Sequence, residues 1–202
     1  RIEFAHASFT LAMSSGCVIV LCSWPTAARL SMNGNIVSMM AGSARFTPTS
    51  SQWFHETPWL DFNMIQVWGN EKEIFPKITQ DYQLPLVRPS GLGEGSYEDG
   101  PQYSTKPIDA LKIRKQAYWS YLAGGYHTYG NTNTWNFSSY KAEGTQDWKQ
   151  ALRSPGAAHL SVLTRIFASL EWWRLIPDTT VFVEGLGSGE TRNAAMRSAA
   201  GD

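Results

Sequence analysis

Apolar residues in this chain gather in short runs, each closed by polar or glycine-rich residues. Four such stretches punctuate the middle: residues 44–47, 59–67, 84–87 and 126–129. Runs of this length read as strands, although Pro85 makes the third a short or edge strand. Two longer segments carry helical spacing. From Pro107 to about Leu122 the apolar positions are Ile108, Leu111, Ala117, Tyr118, Tyr121 and Leu122. Pro107 suits a first helical turn and Gly124-Gly125 a stop. From Pro155 to about Leu175 a broad face holds Leu160, Leu163, Ile166, Phe167, Leu170 and Trp173, with Ser154 as the expected N-cap and Pro177 ending it. Strands alternating with helices point to β/α units and a parallel sheet. Residues 180–184 (Thr-Val-Phe-Val-Glu) read as a further strand before Gly185-Leu-Gly-Ser-Gly189. Residues 1–45 show no helical or alternating pattern, and the chain holds no internal repeat.

Composition narrows the classes. In 202 residues there are 17 basic and 17 acidic side chains. That balance suggests neither a nucleic-acid nor an acidic-lipid surface. Aromatic content of 13% argues for a folded chain. The longest apolar run, Cys17 to Cys22, is strand-length and far below the roughly 18 residues of a membrane span. Cys17 and Cys22 form a C-x4-C pair with no second Cys or His pair nearby, which favours free thiols over zinc or a disulfide. The first residue is not Met and no charged n-region precedes an apolar core, so a piece of a longer protein is expected.

Polar residues collect where the strand-like stretches end, which is where an α/β barrel keeps its functional groups. Asp61, Asn63 and Gln66 decorate the second stretch, with Asp61 and Asn63 expected on one side by alternation. Glu94, Tyr97, Glu98 and Asp99 follow the third. His127, Tyr129, Asn131, Asn133, Trp135 and Asn136 follow the fourth. This mixture is rich in carboxylates, amides and aromatic rings and nearly free of Lys and Arg. Phosphate ligands want the opposite, and Gly91-Leu-Gly-Glu-Gly95 does not fit G-x-G-x-x-G. Sugars want amides and carboxylates for their hydroxyls and aromatic faces for their C–H surface. The competing reading is a turn-rich loop whose Asn and Gly satisfy backbone geometry. Glu94 and Glu98 supply carboxylates of the type glycoside hydrolysis uses in pairs, or alternatively a solvated acidic turn with Asp99. Asp61 in an apolar stretch calls for a partner or a ligand. The four histidines form no H-x-H or H-x3-H pair, so neither a metal nor a cofactor is indicated, and no G-x-S-x-G elbow occurs.

Four motifs in order, Ser50-Ser51-Gln-Trp53-Phe54-His55, Pro58-Trp59-Leu60-Asp61-Phe62-Asn63-Met64-Ile65-Gln66, Gly93-Glu94 with Tyr97-Glu98, and His127-Thr128-Tyr129-Gly130-Asn131 with Asn133 and Trp135, resemble the apiosidase-like glycoside hydrolases (glycoside hydrolase family 140 and relatives). Ser154-Pro155-Gly156-Ala157 and Trp173-Arg-Leu-Ile-Pro177-Asp178 extend the likeness, which covers about residues 46–190. The resemblance implies a partial (β/α)8 TIM barrel, strands five to eight with their helices, followed by the start of a C-terminal β domain. The implied division is residues 1–45 unassigned, 46–178 the C-terminal half of the barrel and 179–202 the start of a truncated β domain. It also implies a carbohydrate substrate on plant cell-wall side chains such as pectin, and a secreted or periplasmic setting. Glu94 falls on the family's strand-seven glutamate, as nucleophile or base. Asp61, Asn63, Gln66, Glu98, His127, Tyr129, Asn131, Asn133 and Trp135 are the expected substrate-binding residues. The family's acidic Gly-Gly-Asp motif after strand four does not occur in this chain, and Gln66-Val67-Trp68-Gly69 stands where the family reads Gln-Ser-Gly-His. Hydrolysis at background level is therefore expected, with a sugar-binding remnant or a structural fragment as the other readings.

Overall fold

A computed structural model describes residues 8–14, 17–23, 49–67, 69–100, 107–134 and 146–200. Near the start, β1 (Ser8–Ser14) and β2 (Cys17–Ser23) pair antiparallel, Ser14 opposite Cys17 and Phe9 opposite Cys22. The strand-length run between the two cysteines is thus a strand. Residues 44–47 and Trp135 lie outside the described residues.

The centre is a three-stranded parallel sheet in the order β3-β4-β5, with β3 Asn63–Gln66, β4 Ser90–Glu94 and β5 Tyr126–His127. A short helix α1 (Ser51–Phe54) leads into β3, α2 (Ile74–Tyr82) connects β3 to β4, and α3 (Ala110–Leu122) connects β4 to β5. This is the β/α alternation read from the sequence, with two corrections. The third strand is not residues 84–87, which form a bend with Leu86 and Val87 exposed, but the glycine-rich segment that follows Pro89. Helix α2 lies where the sequence pattern announces none. Its buried Ile74, Phe75, Ile78 and Asp81 share one face at helical spacing, and Pro76 falls in the first turn, where N–H groups have no helical partner.

The core between sheet and helices holds Ile65, Val67, Ile74, Phe75, Ile78, Leu92, Trp119 and Ala123. Of the apolar positions read for this helix, Ile108 and Ala117 are buried, Tyr118, Tyr121 and Leu122 pack in a second cluster, and Leu111 is exposed. Ile113, Gln116, Trp119 and Ser120 are buried in addition. Asp109 caps α3 by accepting from Lys112 N, 2.8 Å, and the chain leaves it through Gly124 at φ 90°.

A second cluster joins α3 to α5 (Pro155–Ala168). Ala117, Leu163 and Phe167 are buried, Tyr121 and Phe167 rings lie 4.8 Å apart, and Trp172 meets Tyr121 at 5.9 Å. The helix ends at Ala168, not Leu175, and Ile166, Leu170 and Trp173 of the expected face are exposed. Between β5 and α5 lies the short α4 (Trp148–Ala151).

Residues 180–184 are not a strand. Asp178 accepts from Thr180 N (2.8 Å) and Thr180 Oγ1 (2.6 Å), bending the chain, and Val183 is fully exposed. A Val-Phe-Val run becomes a strand only where a neighbouring strand and a packed face receive it. The chain instead makes a minimal antiparallel pair, β6 (Ile176–Pro177) with β7 (Met196–Arg197), tied by Arg197 Nε to Asp178 Oδ2 at 2.9 Å. The stretch before β7 lies on the helices: Trp119 Nε1 donates to Arg192 O (3.0 Å), Lys115 Nζ to Glu190 O (2.7 Å), and the Arg192 guanidinium sits 5.0 Å from the Phe75 ring centre. Among the described residues, no helix is long and apolar enough to cross a membrane.

Candidate active site

Parallel strands deliver their C-terminal ends to one side, and here those ends carry Gln66, Glu94 and, just past β5, Tyr129 and Asn131. Which face each side chain takes follows from register. Ile65 and Leu92 are partners and both enter the core under the helices. Gly91 and Gly93 point the other way. A Cβ on Gly91 would come within 2.6 Å of the Tyr126 ring, and one on Gly93 would overlap Met64 Sδ. The Phe62 and Tyr126 rings, 5.9 Å apart, therefore share the face opposite the helices with Met64.

Strict alternation would put Glu94 beside Leu92, in the core. It does not go there, because the register slips: Ile65 pairs with Leu92, but Gln66 pairs with Glu94. The extra residue, Gly93, is a β-bulge, and a bulge re-aims the side chain after it. Glu94 emerges on the face of Met64 and Gln66. Gln66 Nε2 donates to one carboxylate oxygen, Glu94 Oε2, and the Tyr97 hydroxyl donates to the other at 2.8 Å. Tyr97 lies against Gly130, where a Cβ would approach its ring to 2.5 Å. A half-buried carboxylate, oriented by two donors at a strand's C-terminal end, is able to accept a proton or attack an electrophilic carbon.

Glu98 is placed differently. It is 2% exposed and bridges Gly130 and Thr132 through its backbone. One carboxylate oxygen accepts from Tyr129 OH (2.7 Å) and the other from Gly156 N (2.7 Å), inside the first turn of α5. A carboxylate there complements the helix dipole. Ser154 occupies the N-cap position of α5 as expected, but its hydroxyl makes no cap bond. It instead receives Asn131 Nδ2 at 3.2 Å and Gln146 Nε2 at 3.1 Å. Burial first, then the bond to Glu98, raises the Tyr129 phenol above its ordinary range, so it stays a donor.

Asn131 and Asn133 are 1% and 3% exposed, and their amides serve the loop. Asn131 Oδ1 accepts from Asn133 N (2.8 Å), and Asn133 Nδ2 reaches Asp99 Oδ2 (3.0 Å), which also takes Gln146 Nε2 (2.9 Å). Asp99 itself has φ 60°, a left-handed conformation that Asp tolerates in turns. These bonds tie the amides into the loop. Gln146, which the sequence pattern did not single out, completes the network.

Three expected site residues stand elsewhere. Asp61 and Asn63 are at the start of β3, the end opposite Glu94. Asp61 is exposed and precedes the strand, so it needs no buried partner. Asn63 is fully buried, and its Nδ2 meets His55 Nδ1 at 2.9 Å. Alternation does not extend to Asp61, which precedes the strand, and strand direction places Asn63 at the end away from Glu94. His127 pairs with Leu92 and so takes the helix-covered side of β5, where burial pushes its pKa down to about 3. Among the described residues no group of three or more His, Cys, Asp or Glu is placed to hold a metal ion.

A parallel β/α sheet with a carboxylate at a strand's C-terminal end is consistent with a segment of a (β/α)8 barrel. The chain is similar to a solved glycoside hydrolase at TM-score 0.67 and 26% identity, over 75% of this chain and 40% of that one. A glycoside hydrolase family 5 structure from Bacteroides vulgatus matches at TM-score 0.66 and 27% identity, over 75% of this chain and 38% of the other. The matched part of this chain thus spans 40% and 38% of the length of these two structures. No curated protein matches. Residues 27–174 match the apiosidase-like catalytic domain, and the chain belongs to that family. The match begins upstream of residue 46, where the recognisable motifs start, and stops short of residue 190.

Proposed function

We propose that residues 46–178 supply the C-terminal half of a glycoside hydrolase barrel that takes side chains of plant cell-wall polysaccharides such as pectin, with Glu94 as the nucleophile or base. The observation carrying this reading is the placement of Glu94. A bulge turns it out of the core, and Gln66 and Tyr97 hold both its oxygens on the face opposite the helices. Gln66 and Tyr129 are the residues best placed to meet sugar hydroxyls beside it. Residues 179–202, proposed as the beginning of a further β segment, pack on α2 and α3 through 190–197.

Hydrolysis needs a second carboxyl group about 5–5.5 Å away for retention, or roughly 6.5–9.5 Å for inversion. Among the described residues the nearby acidic groups are already engaged. Glu98 gives both oxygens to Tyr129 and Gly156, Asp99 holds Asn133 and Gln146, and Asp61 is at the other end of β3. This supports an incomplete catalytic pair, hence sugar binding with background turnover by this chain. The test is sugar release from, and binding of, an apiose-bearing pectic oligosaccharide by the purified chain, wild type beside Glu94→Gln. The expected result is binding by both and release by neither above background. Robust release abolished by Glu94→Gln overturns the incomplete-pair reading, release that survives it removes Glu94 from the chemistry, and no binding removes the carbohydrate reading.

A further inference from the structure

Between Glu94 and the tyrosine that holds it lies Ser96, and the structure fixes all three polar groups of that residue. Gln116, on α3, accepts from Ser96 N through Oε1 at 2.7 Å and donates from Nε2 to Ser96 O at 3.1 Å. One side chain thus satisfies a whole residue's backbone, as a neighbouring strand would. The Ser96 hydroxyl donates to Glu71 Oε1 at 2.6 Å, and Lys112 Nζ meets the same oxygen at 2.9 Å. Lys112 is one turn before Gln116 on α3, so both reach the loop from one helix face. The contact is tight: a Cβ on Gly95 would lie 2.6 Å from Gln116 Oε1 and 3.0 Å from Leu92 Cδ2.

Gln116 is 0% exposed and sits beside Ile113, Ala117 and Trp119. Burying an amide in such surroundings is unfavourable unless it is hydrogen-bonded. An apolar residue of the same size would serve packing alone, so the amide's physical return is the fixed loop. We infer that Gln116 is a positioning residue for Glu94: through Ser96 it sets the path of the chain after the bulge, and with it the direction of the carboxylate and of Tyr97. The inference rests on the reading of Glu94 as the sugar-facing carboxylate.

The experiment uses the full chain labelled with 13C and 15N. It follows amide exchange at Ser96 and the 13C chemical shift of the Glu94 side-chain carboxyl at one fixed pH, in wild type, Gln116→Met and Gln116-contacting Gly95→Ala. The second variant disturbs the same contact from the loop side without adding charge, and serves if the first fails to fold. In wild type the Ser96 amide should be protected. In each folded variant its exchange should accelerate at least tenfold, and the Glu94 carboxyl signal should move, while that of Asp81, bonded to Thr49, Ser51 and Ser90 at the far end of the sheet, stays in place. An unprotected Ser96 amide in wild type, or an unmoved Glu94 signal in a folded variant, overturns the inference. Adding the pectic oligosaccharide to wild type separates the two ideas: a Glu94 signal indifferent to sugar defeats the sugar-facing reading, whereas a signal indifferent to Gln116→Met defeats the positioning role.

Discussion

Gly156→Ala reverses the effect expected from helix propensity. Gly156 is in the first turn of α5, and in an unconstrained helix Ala is favoured over Gly by up to about 1 kcal/mol. Here an added Cβ would lie 2.7 Å from Glu98 Cδ and 2.9 Å from Glu98 Oε1, against about 3.5–4 Å for unstrained carbon contacts. The carboxylate has little room to retreat, since Tyr129 holds its other oxygen at 2.7 Å and Gly130 and Thr132 hold its backbone. Either the helix shifts and Gly156 N loses its charged acceptor, about 1.5–3 kcal/mol, or the site is overpacked, about 1–3 kcal/mol. Set against the propensity gain, the net effect is destabilising by about 1–2 kcal/mol. At ~2–4 °C per kcal/mol for a chain of this size, the melting temperature should fall by about 2–8 °C. The assay is thermal and urea unfolding of four proteins: wild type, Gly156→Ala, Glu98→Ala and the double variant. In the Glu98→Ala background the obstruction is gone, so Gly156→Ala should become neutral or slightly stabilising, a coupling readable from the cycle. A melting temperature unchanged or raised by Gly156→Ala alone would refute the anchoring of α5 by Glu98.

The His127 imidazole should remain neutral at pH 5 by NMR. With a folded value near 3 against the ordinary 6.5, its contribution to stability is fully present above pH 6.5 and is lost as pH falls from there toward 3. His127→Gln should flatten that acid limb, and titration near 6.5 in the folded chain would defeat the burial argument. Trp119→Phe removes the donor to Arg192 O from a 6% exposed ring. It should cost about 1–2 kcal/mol in urea unfolding and quicken protease cleavage between residues 186 and 195, and equal cleavage rates would show that this bond does not hold the segment.

How far the sequence foretold this arrangement depends on whether the signal was local. Ser154-Pro155 marks the start of α5 because proline's fixed φ and missing N–H act at that position alone. The alternation of parallel strands with the two longer helices was equally readable from run lengths. Strand β4 was not, because Ser-Gly-Leu-Gly-Glu has poor strand propensity. Its glycines are there to make room for Tyr126 and Met64, residues far away in sequence. The buried polar positions of α3 were not read for a related reason: Gln116 and Ser120 look like solvent positions until their partners are known. Helix α2 was hidden by its shortness and by Pro76. Gln66 and Glu94 do end their strands, a position that run lengths alone could mark. Asp61 and Asn63 were assigned by face without regard to direction. A buried polar residue on an otherwise apolar helix face was the available clue to Gln116.

The bulge at Gly93 makes the position of Glu94 a matter of counting. In a regular strand, the face a residue takes is fixed by odd or even distance from its neighbours. Here a single inserted glycine switches that parity between Leu92 and Glu94. Removing Gly93 would restore regular pairing, with the glutamate next after Leu92, still opposite Gln66 and still on the face away from the helices. What would bury the carboxylate is a regular strand of unchanged length, in which Glu94 falls two residues after Leu92 and on its side, among Ile65, Ile74 and Trp119. The extra residue thus gives β4 two successive positions on one face, Gly93 against Met64 and then Glu94 beside Gln66.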